Sequence, residues 1–146
     1  AEVRRRLGPA VFGADQETLE GVTLASVRSR GWRLATVEAG TQGALAAILA
    51  EAGDGWAGGL VLAEPGAQPT DEDSAKWAGD LGAEALLFVG VVQSSRSARV
   101  AIRFRAPQSA RDWSRKYGGA LLNAPAWAVA TALDLVRREL SGEGEG

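Results

Sequence analysis

The sequence predicts an α/β domain of three layers, in which helices cover both faces of a mixed β-sheet. Three observations lead to this fold class. The chain has 146 residues, a length typical of one domain. Candidate strands and helices alternate along its first two thirds, and a hairpin of strands follows. The unbroken apolar segment 85–92 is typical of a central strand that is buried on both faces.

The first two helices are predicted from residues at their ends. Asp15 can cap a helix over 16–30, in which acidic residues come first and arginines come last, as the helix dipole favours. Gly31 is a suitable stop for this helix. Thr41 can cap a second helix over 42–51, whose alanine-rich surface predicts close packing against the sheet.

Short strands are expected beside these helices. Residues 34–37 follow Trp32 and read as a buried strand. A second strand is expected at 60–63, after a turn loosened by the glycines of 53–59. The first three strands of the sheet are therefore 34–37, 60–63 and the central strand 85–92.

The second half of the chain predicts one more helix and then a hairpin. Thr70 or Asp71 caps a helix that runs to about residue 81. The central strand turns through 93–97 into a strand with strict alternation. On one face of that strand we expect Val100, Ile102 and Phe104, and on the other Arg99, Arg103 and Arg105.

The chain closes with an edge strand and a long helix. Residues 113–117 are expected to add the strand, and Asn123 caps the helix with Pro125 in its first turn. The predicted buried face of this helix consists of Ala126, Val129, Ala130, Leu133, Val136 and Leu140. The domain is thus expected to span 16–141, after a linker at 1–15 that leads from a preceding domain and before a disordered tail at 142–146.

Composition excludes several kinds of chemistry. The sequence contains no cysteine and no histidine, which excludes a disulfide framework, a thiolate or imidazole metal site and a Ser-His-Asp triad. The net charge of −2 gives no general attraction to nucleic acid. No segment is long and apolar enough to span a membrane. We therefore expect a cytoplasmic domain without cofactor, metal, nucleic acid or membrane partner.

Several segments resemble a known family. The first is 3–8, which continues through 11–15 into a helix start at 17–20. The second is 34–43, which reads L-A-T-V-E-A-G-T-Q-G, and a weaker likeness lies in 132–138. They resemble the C-terminal domain of the CinA (competence/damage-inducible) family, whose strand, tight turn and helix are usually written T-A-E-S-C-T-G-G. The resemblance implies a preceding molybdopterin-binding-like domain and a homodimer.

The resemblance also implies an activity, the deamidation of nicotinamide mononucleotide. In the family a serine in the tight turn attacks the carboxamide, and a lysine takes its proton. The start of the following helix can supply backbone N–H groups to an anion. The resemblance implies no cofactor for this reaction.

The family's catalytic residues are missing at the matching positions. Ala39 stands where the family has its serine. Where the family reads G-G-V-V-A-Y-S-N-x-x-K after its second strand, this chain has Ala63 for the tyrosine, Pro65 for the asparagine and Gln68 for the lysine. Where the family has a T-G-x-A-G-P-G loop after the central strand, this chain has only the segment 90–95, which is too short and lacks the glycines. We therefore expect no catalytic residue at this site, because loss of one member of such a unit already costs orders of magnitude in rate.

Binding residues are still expected at two places. Glu38, Thr41 and Gly43 match the family, and the helix start at Thr41 could hold an anion such as a pyridine nucleotide. We define Arg99, Arg103 and Arg105 as the arginine stripe, with Arg111 and Arg115 close in sequence. The stripe is either a solvated strand face or subunit contact, which is the default expectation, or a second candidate site for an anion. Trp56 and Trp77 fall near the expected mouth of the family's site, where they could fill the space of the substrate or cover a subunit interface, but core packing is the default expectation for all five tryptophans.

Three functions follow from these observations. The first is a domain without catalysis that serves as a structural or oligomerisation module of a longer protein. The second is an active amide hydrolase with a rebuilt site, which would join Ser94, Ser95 or Thr41 to Lys76 or Lys116. The third is a regulatory domain that binds a nucleotide or another anion.

Overall fold

The computed structural model describes residues 18–142, so the predictions for 1–15 and for 143–146 lie outside the described residues. The elements in chain order are α1 (Leu19–Ser29), β1 (Leu34–Ala39), α2 (Ala44–Ala52), β2 (Trp56–Leu62), α3 (Asp71–Asp80), β3 (Ala85–Gln93), β4 (Ala98–Ala106), β5 (Ser109–Tyr117), a 3-10 turn (Leu121–Asn123) and α4 (Ala124–Ser141).

The predicted fold class is confirmed. The five strands form one mixed sheet in the order β2-β1-β3-β4-β5. Strand β1 runs parallel to β2 and β3, whereas β4 and β5 are antiparallel to their neighbours. As expected, β3 lies at the centre, and its residues from Ala85 to Val91 are buried.

Helices cover the two faces of the sheet unequally. Helices α1, α2 and α4 pack on one face, which we call the α2 side, and bury residues such as Leu24, Leu49 and Leu133. Among the described helices, only α3 packs on the opposite face, the α3 side, where Trp77 contacts a cluster that includes Phe88. Side chains that point to the α2 side are therefore covered by three helices, whereas those that point to the α3 side are covered by one described helix.

Strand β4 confirms the predicted alternation. Val100, Ile102 and Phe104 are buried in the core of the α2 side. The arginine stripe points to the α3 side, where Arg99 is exposed and the other two arginines are half-buried. The α3 side of β4 is therefore the polar face of the sheet.

The predicted ends of the first elements need correction. Helix α1 begins at Leu19 and its N-cap is Thr18, whose hydroxyl accepts the amide of Gly21 at 3.1 Å; Asp15, the predicted cap, lies outside the described residues. Gly31 follows the end of α1 with a φ of 78°, as the prediction of a glycine stop requires. Strand β1 extends to Ala39, two residues beyond the prediction.

Strand β2 begins four residues earlier than predicted, and Gly58 and Gly59 lie within it rather than in a turn. A side chain on Gly59 would stand 2.5 Å from the hydroxyl of Thr36, which accepts the indole N–H of Trp56 at 3.1 Å. Glycine is needed there because Trp56 crosses over it to reach Thr36. The glycines thus serve close packing within the sheet.

The last two elements also differ from the prediction. Strand β5 starts at Ser109, four residues early, after a tight turn in which Gln108 has a φ of 66°. Asn123 precedes α4 but makes no capping hydrogen bond, because the preceding 3-10 turn leaves it with helical dihedral angles. Gly142 ends α4 in the left-handed conformation.

The buried face of α4 was predicted only in part. Val129, Leu133, Val136 and Leu140 are buried as expected, but Ala126 and Ala130 are exposed. The buried positions that the pattern missed are Ala124, Ala128, Ala132 and Leu135. No helix within 18–142 combines the length and the apolar character needed to cross a membrane.

Candidate functional site

A cleft lies where the three parallel strands end. In α/β sheets ligands bind at the carboxyl ends of parallel strands, which here meet at one edge of the sheet. The cleft has a volume of about 560 Å³. It is lined by Gly40, Gln42, Val61, Leu62, Ala63, Pro65, Val91, Val92 and Gln93. We call it the strand-end cleft; its polar side chains are two amides, Gln42 and Gln93.

The tight turn after β1 forms one wall of the strand-end cleft. Gly40, Gln42 and Gly43 all have positive φ, at 79°, 59° and 82°. A side chain on Gly40 would overlap the backbone carbonyl of Val91, so only glycine lets the turn lie against β3. Ala39 is fully buried in the cluster of the α3 side, and it does not line the cleft.

Glu38 caps helix α2 from seven residues away. This carboxylate is fully buried, and it accepts the amide of Leu45 at 3.0 Å and the amide of Ala46 at 2.9 Å. It also accepts the hydroxyl of Thr41. Three donors and the positive end of the helix dipole therefore stabilise the negative charge in the interior.

The prediction that Thr41 caps α2 is wrong. The residue at the N-cap position is Gly43, which makes no capping hydrogen bond through a side chain, and the helix begins at Ala44. Thr41 is buried, and its hydroxyl donates to Glu38 instead of accepting from the helix. A longer turn, closed by two residues of positive φ, moves the helix start past the reach of Thr41.

This arrangement bears on the anion predicted at the start of α2. The amide of Ala44 donates to the carbonyl of Thr41 at 3.1 Å, and those of Leu45 and Ala46 donate to Glu38. The first turn of α2 therefore already has internal acceptors for these three amides. A second negative charge there would also be repelled by the carboxylate of Glu38.

Three of the residues named for a rebuilt site, Thr41, Ser94 and Lys76, bond to other partners. Lys76 pairs with Asp80 on α3 at 2.9 Å, and Ser94 donates to the carbonyl of Ser97 at 3.1 Å within the hairpin turn. Within 18–142, neither lysine forms a hydrogen bond with a serine or threonine hydroxyl. Gln68, at the family's lysine position, lines a separate cleft of about 170 Å³ beside Phe88 and Arg103.

Two members of the arginine stripe are neutralised by two aspartates that the sequence did not reveal as partners. Asp71 of α3 lies 2.9 Å from Arg105 and 3.2 Å from Arg103. Asp112 of β5 lies 3.0 Å from Arg105 and 3.6 Å from Arg103. These four residues form a compact network of two positive and two negative charges, which has little attraction left for an external anion.

The network shifts the pKa values of its members. The hydrogen bond and then the charge of Arg105 hold the pKa of Asp71 below its usual value. Burial alone would lower the pKa of Arg105, but hydrogen bonds to Asp112 and Asp71 and the charges of both outweigh it, so this pKa is raised. Both shifts favour the charged forms, as ion pairing requires.

The remaining arginines occupy other positions. Arg99 stands opposite Val92 on β3 and opposite Lys116 on β5, beside the strand-end cleft. Arg111 lies on the other face of the sheet, where it pairs with Glu139 of α4 at 2.6 Å and stacks over Trp113. Arg99 is thus the stripe residue that stands at the same end of the sheet as the cleft.

The structure separates the predicted binding residues into two groups. Glu38 contacts α2 on one side of the sheet, while Arg103 and Arg105 contact Asp71 on the other. Trp56 and Trp77 do not line the strand-end cleft; they pack against the two hydrophobic clusters, which agrees with the default expectation of core packing. No group of three or more metal-ligating side chains lies together within 18–142.

The fold is similar to that of several solved structures. A crystal structure of a competence-damaged protein (CinA) superfamily protein from Enterobacter cloacae matches with a TM-score of 0.67 and 15% identity, over 92% of this chain and 99% of that chain. A CinA superfamily protein from Klebsiella pneumoniae 700603 matches with a TM-score of 0.63 and 19% identity, over 86% of this chain and 99% of that chain. A CinA superfamily protein from Escherichia coli matches with a TM-score of 0.60 and 18% identity, over 91% of this chain and 95% of that chain.

The likeness to these structures establishes that the described chain has the CinA superfamily fold. No protein-family model and no curated protein matches the sequence. Identities below one fifth of the aligned positions carry no information on activity.

Proposed function

We propose that this chain is a member of the CinA family that has lost amide hydrolysis and serves as a structural or oligomerisation module of a longer protein. Two independent observations support membership. The tight turn and its flanks, 34–43, follow the family's strand, turn and helix motif. The solved structures of the same fold are CinA superfamily proteins, and the match covers nearly the whole of each.

The composition of the strand-end cleft carries the proposed loss of activity. None of its nine lining residues bears a hydroxyl, carboxylate, amine or guanidinium group in its side chain. Hydrolysis of a carboxamide requires a nucleophile, or an activated water, and a group that takes its proton. Gln42 and Gln93 can donate and accept hydrogen bonds but can do neither of these things.

The nearest ionisable group supports the same conclusion. Glu38 is fully buried behind the turn, and both of its carboxylate oxygens accept hydrogen bonds, from the first turn of α2 and from Thr41. It therefore supports the fold of the turn and has no free oxygen that faces the cleft. A carboxylate retained for capping explains why Glu38 and Thr41 match the family while the residue between Glu38 and Gly40 does not.

The two other functions have less support. A rebuilt hydrolase needs a hydroxyl next to a lysine, and the hydroxyls of Thr41 and Ser94 bond elsewhere. A regulatory anion site would have to use amides that already have acceptors, or arginines that already have aspartates. Arg99 with its neighbour Lys116 is the cationic pair that a nucleotide could still approach.

The test is ammonia release from nicotinamide mononucleotide, measured beside an active family member. We expect release at background level. The variant Ala39→Ser, which returns the hydroxyl to the family position, should stay at background too, because position 39 is fully buried in the cluster of the α3 side and does not line the strand-end cleft. Turnover of the wild-type chain near the rate of the active relative would refute the proposed loss. A rise in melting temperature with the nucleotide, without turnover, would instead favour the regulatory function.

A further inference from the structure

The two edges of the sheet differ sharply in charge. Within the described residues, β2 and β5 each pair with a single neighbouring strand, so both present unpaired backbone groups. Natural proteins protect such edges with charged side chains. Strand β5 follows this rule with Arg111, Asp112, Arg115 and Lys116. Strand β2, with the sequence W-A-G-G-L-V-L, has no charged residue.

The unprotected edge is also apolar and exposed. Leu60 and Val61 of β2 retain 37% and 57% of their surface, and they are two of the four exposed large hydrophobic residues in the described chain. They point to opposite faces, because Leu60 lies beside Val37 and Val61 lies near Gly43 of the α2 turn. Apolar surface would therefore be buried on both faces if another strand were added to β2.

The backbone of β2 is regular where pairing would occur. The irregularity in its register falls at the amino end, between the partners of Leu34 and Ala35. From Gly58 to Leu62 each residue has one successive partner on β1. The bulge that often blunts an edge is thus outside the segment that contains the exposed apolar residues.

We propose that β2 is the dimerisation strand of this protein: the β2 edges of two copies pair antiparallel about a two-fold axis, so that two five-stranded sheets become one. The inference rests on the oligomerisation role in the proposed function. A two-fold interface places a patch against its own copy, so a charge near the axis meets a like charge. The charge-free β2 meets no such penalty, whereas β5 does, which favours a second copy as the occupant.

Dimerisation at β2 would also change the strand-end cleft. Val61 and Leu62 belong both to β2 and to the wall of the cleft. A second copy paired to this edge adjoins that wall and reduces its exposure to solvent. The cleft of the dimer is therefore narrower and more apolar than that of one copy.

The first experiment measures molar mass by sedimentation equilibrium over a wide range of concentration. The variants are Val61→Lys and, as a matched control, Val92→Lys. Val92 is 46% exposed and lines the same cleft, but it lies on β3, whose two edges are paired. We expect a dimer for the wild type and the control, and a dissociation constant raised about tenfold or more for Val61→Lys.

A second measurement does not depend on the stability of the lysine variant. The chain has no cysteine, so a single Leu60→Cys substitution gives a unique thiol. Oxidation should then produce covalent dimers from Leu60→Cys and not from Val92→Cys. Circular dichroism of each variant checks that the fold is retained.

The outcomes separate the inference from the proposed function. A wild-type monomer at every concentration overturns both the β2 dimer and the oligomerisation role, while the ammonia assay decides the loss of catalysis independently. A dimer that Val61→Lys leaves intact and that Leu60→Cys does not cross-link overturns only the inference, since another surface must then hold the copies together.

Discussion

The buried carboxylate of Glu38 offers the sharpest test of how this domain holds its tight turn. The substitution Glu38→Ala removes the acceptor of the Leu45 and Ala46 amides and of the Thr41 hydroxyl. The Leu45 and Thr41 bonds are buried, so water cannot easily replace the lost oxygen, whereas the Ala46 bond is only partly buried.

The expected cost follows from these three donors. A buried donor left without an acceptor costs about 1–3 kcal/mol. Two such donors, a partial contribution from Ala46 and the lost interaction with the helix dipole together give about 3–5 kcal/mol. The free energy of unfolding of domains of this kind is about 5–15 kcal/mol, so the variant should remain folded but with a low stability. The substitution Glu38→Gln keeps one oxygen and should cost less, about 1–2 kcal/mol.

The assay is unfolding in urea followed by circular dichroism. With a slope of about 2 kcal/mol per molar urea, Glu38→Ala should lower the midpoint by about 2 M with an unchanged slope. The control is Glu72→Ala, which removes an exposed carboxylate from the first turn of α3 and should cost less than about 1 kcal/mol. If Glu38→Ala loses no more than Glu72→Ala, the carboxylate does not stabilise the turn and the reasoning is refuted.

Two further predictions concern the turn and the charge network. Gly40→Ala should destabilise the domain by about 2 kcal/mol or more, because residue 40 has a positive φ and the new methyl group would overlap the carbonyl of Val91. The control Gly31→Ala has a similar φ but open space around it, so it should cost only about 1 kcal/mol in the same urea assay. Equal losses for the two variants would contradict the overlap with Val91. Because the pKa of Asp71 is lowered in the folded state, its stabilising effect should be complete above about pH 4 and fade as the pH falls through the lowered pKa. Melting temperatures of wild type and Asp71→Asn should therefore converge in acid, and a constant difference across that range would argue against the ion pair.

The charge network also changes what the arginine stripe can be expected to do. Read along the sequence, three arginines on one strand face suggest a site for an anion. In the folded chain, Asp71 and Asp112 both pair with Arg103 and Arg105, and the pairs of Asp71 link helix α3 to the sheet. Two of the three stripe residues therefore contact α3, the single covering helix on that side among the described elements.

The sequence by itself determined the order of the elements, the central strand and the two-sided character of β4. These features depend on residues close together in the chain, such as the alternation of Val100, Ile102 and Phe104. The capping box at the start of α3 is equally local, since Thr70 and Asp73 satisfy each other across three positions. Local periodicity therefore sufficed for the fold class and for most elements, whereas among the predicted caps only that of α3 matches the structure.

Only the tertiary structure decided what the candidate site contains. The acceptor for the amides of α2 is Glu38 on the preceding strand, because a turn with positive φ places the helix start above a buried carboxylate. Asp71, one of the two aspartates that neutralise Arg103 and Arg105, is 32 and 34 positions away from them in the chain. Such partners depend on how helices and strands pack together. Hydrogen bonds and ion pairs form between groups that are close in space, and a pattern of residues that are neighbours in the sequence does not show which distant groups come close.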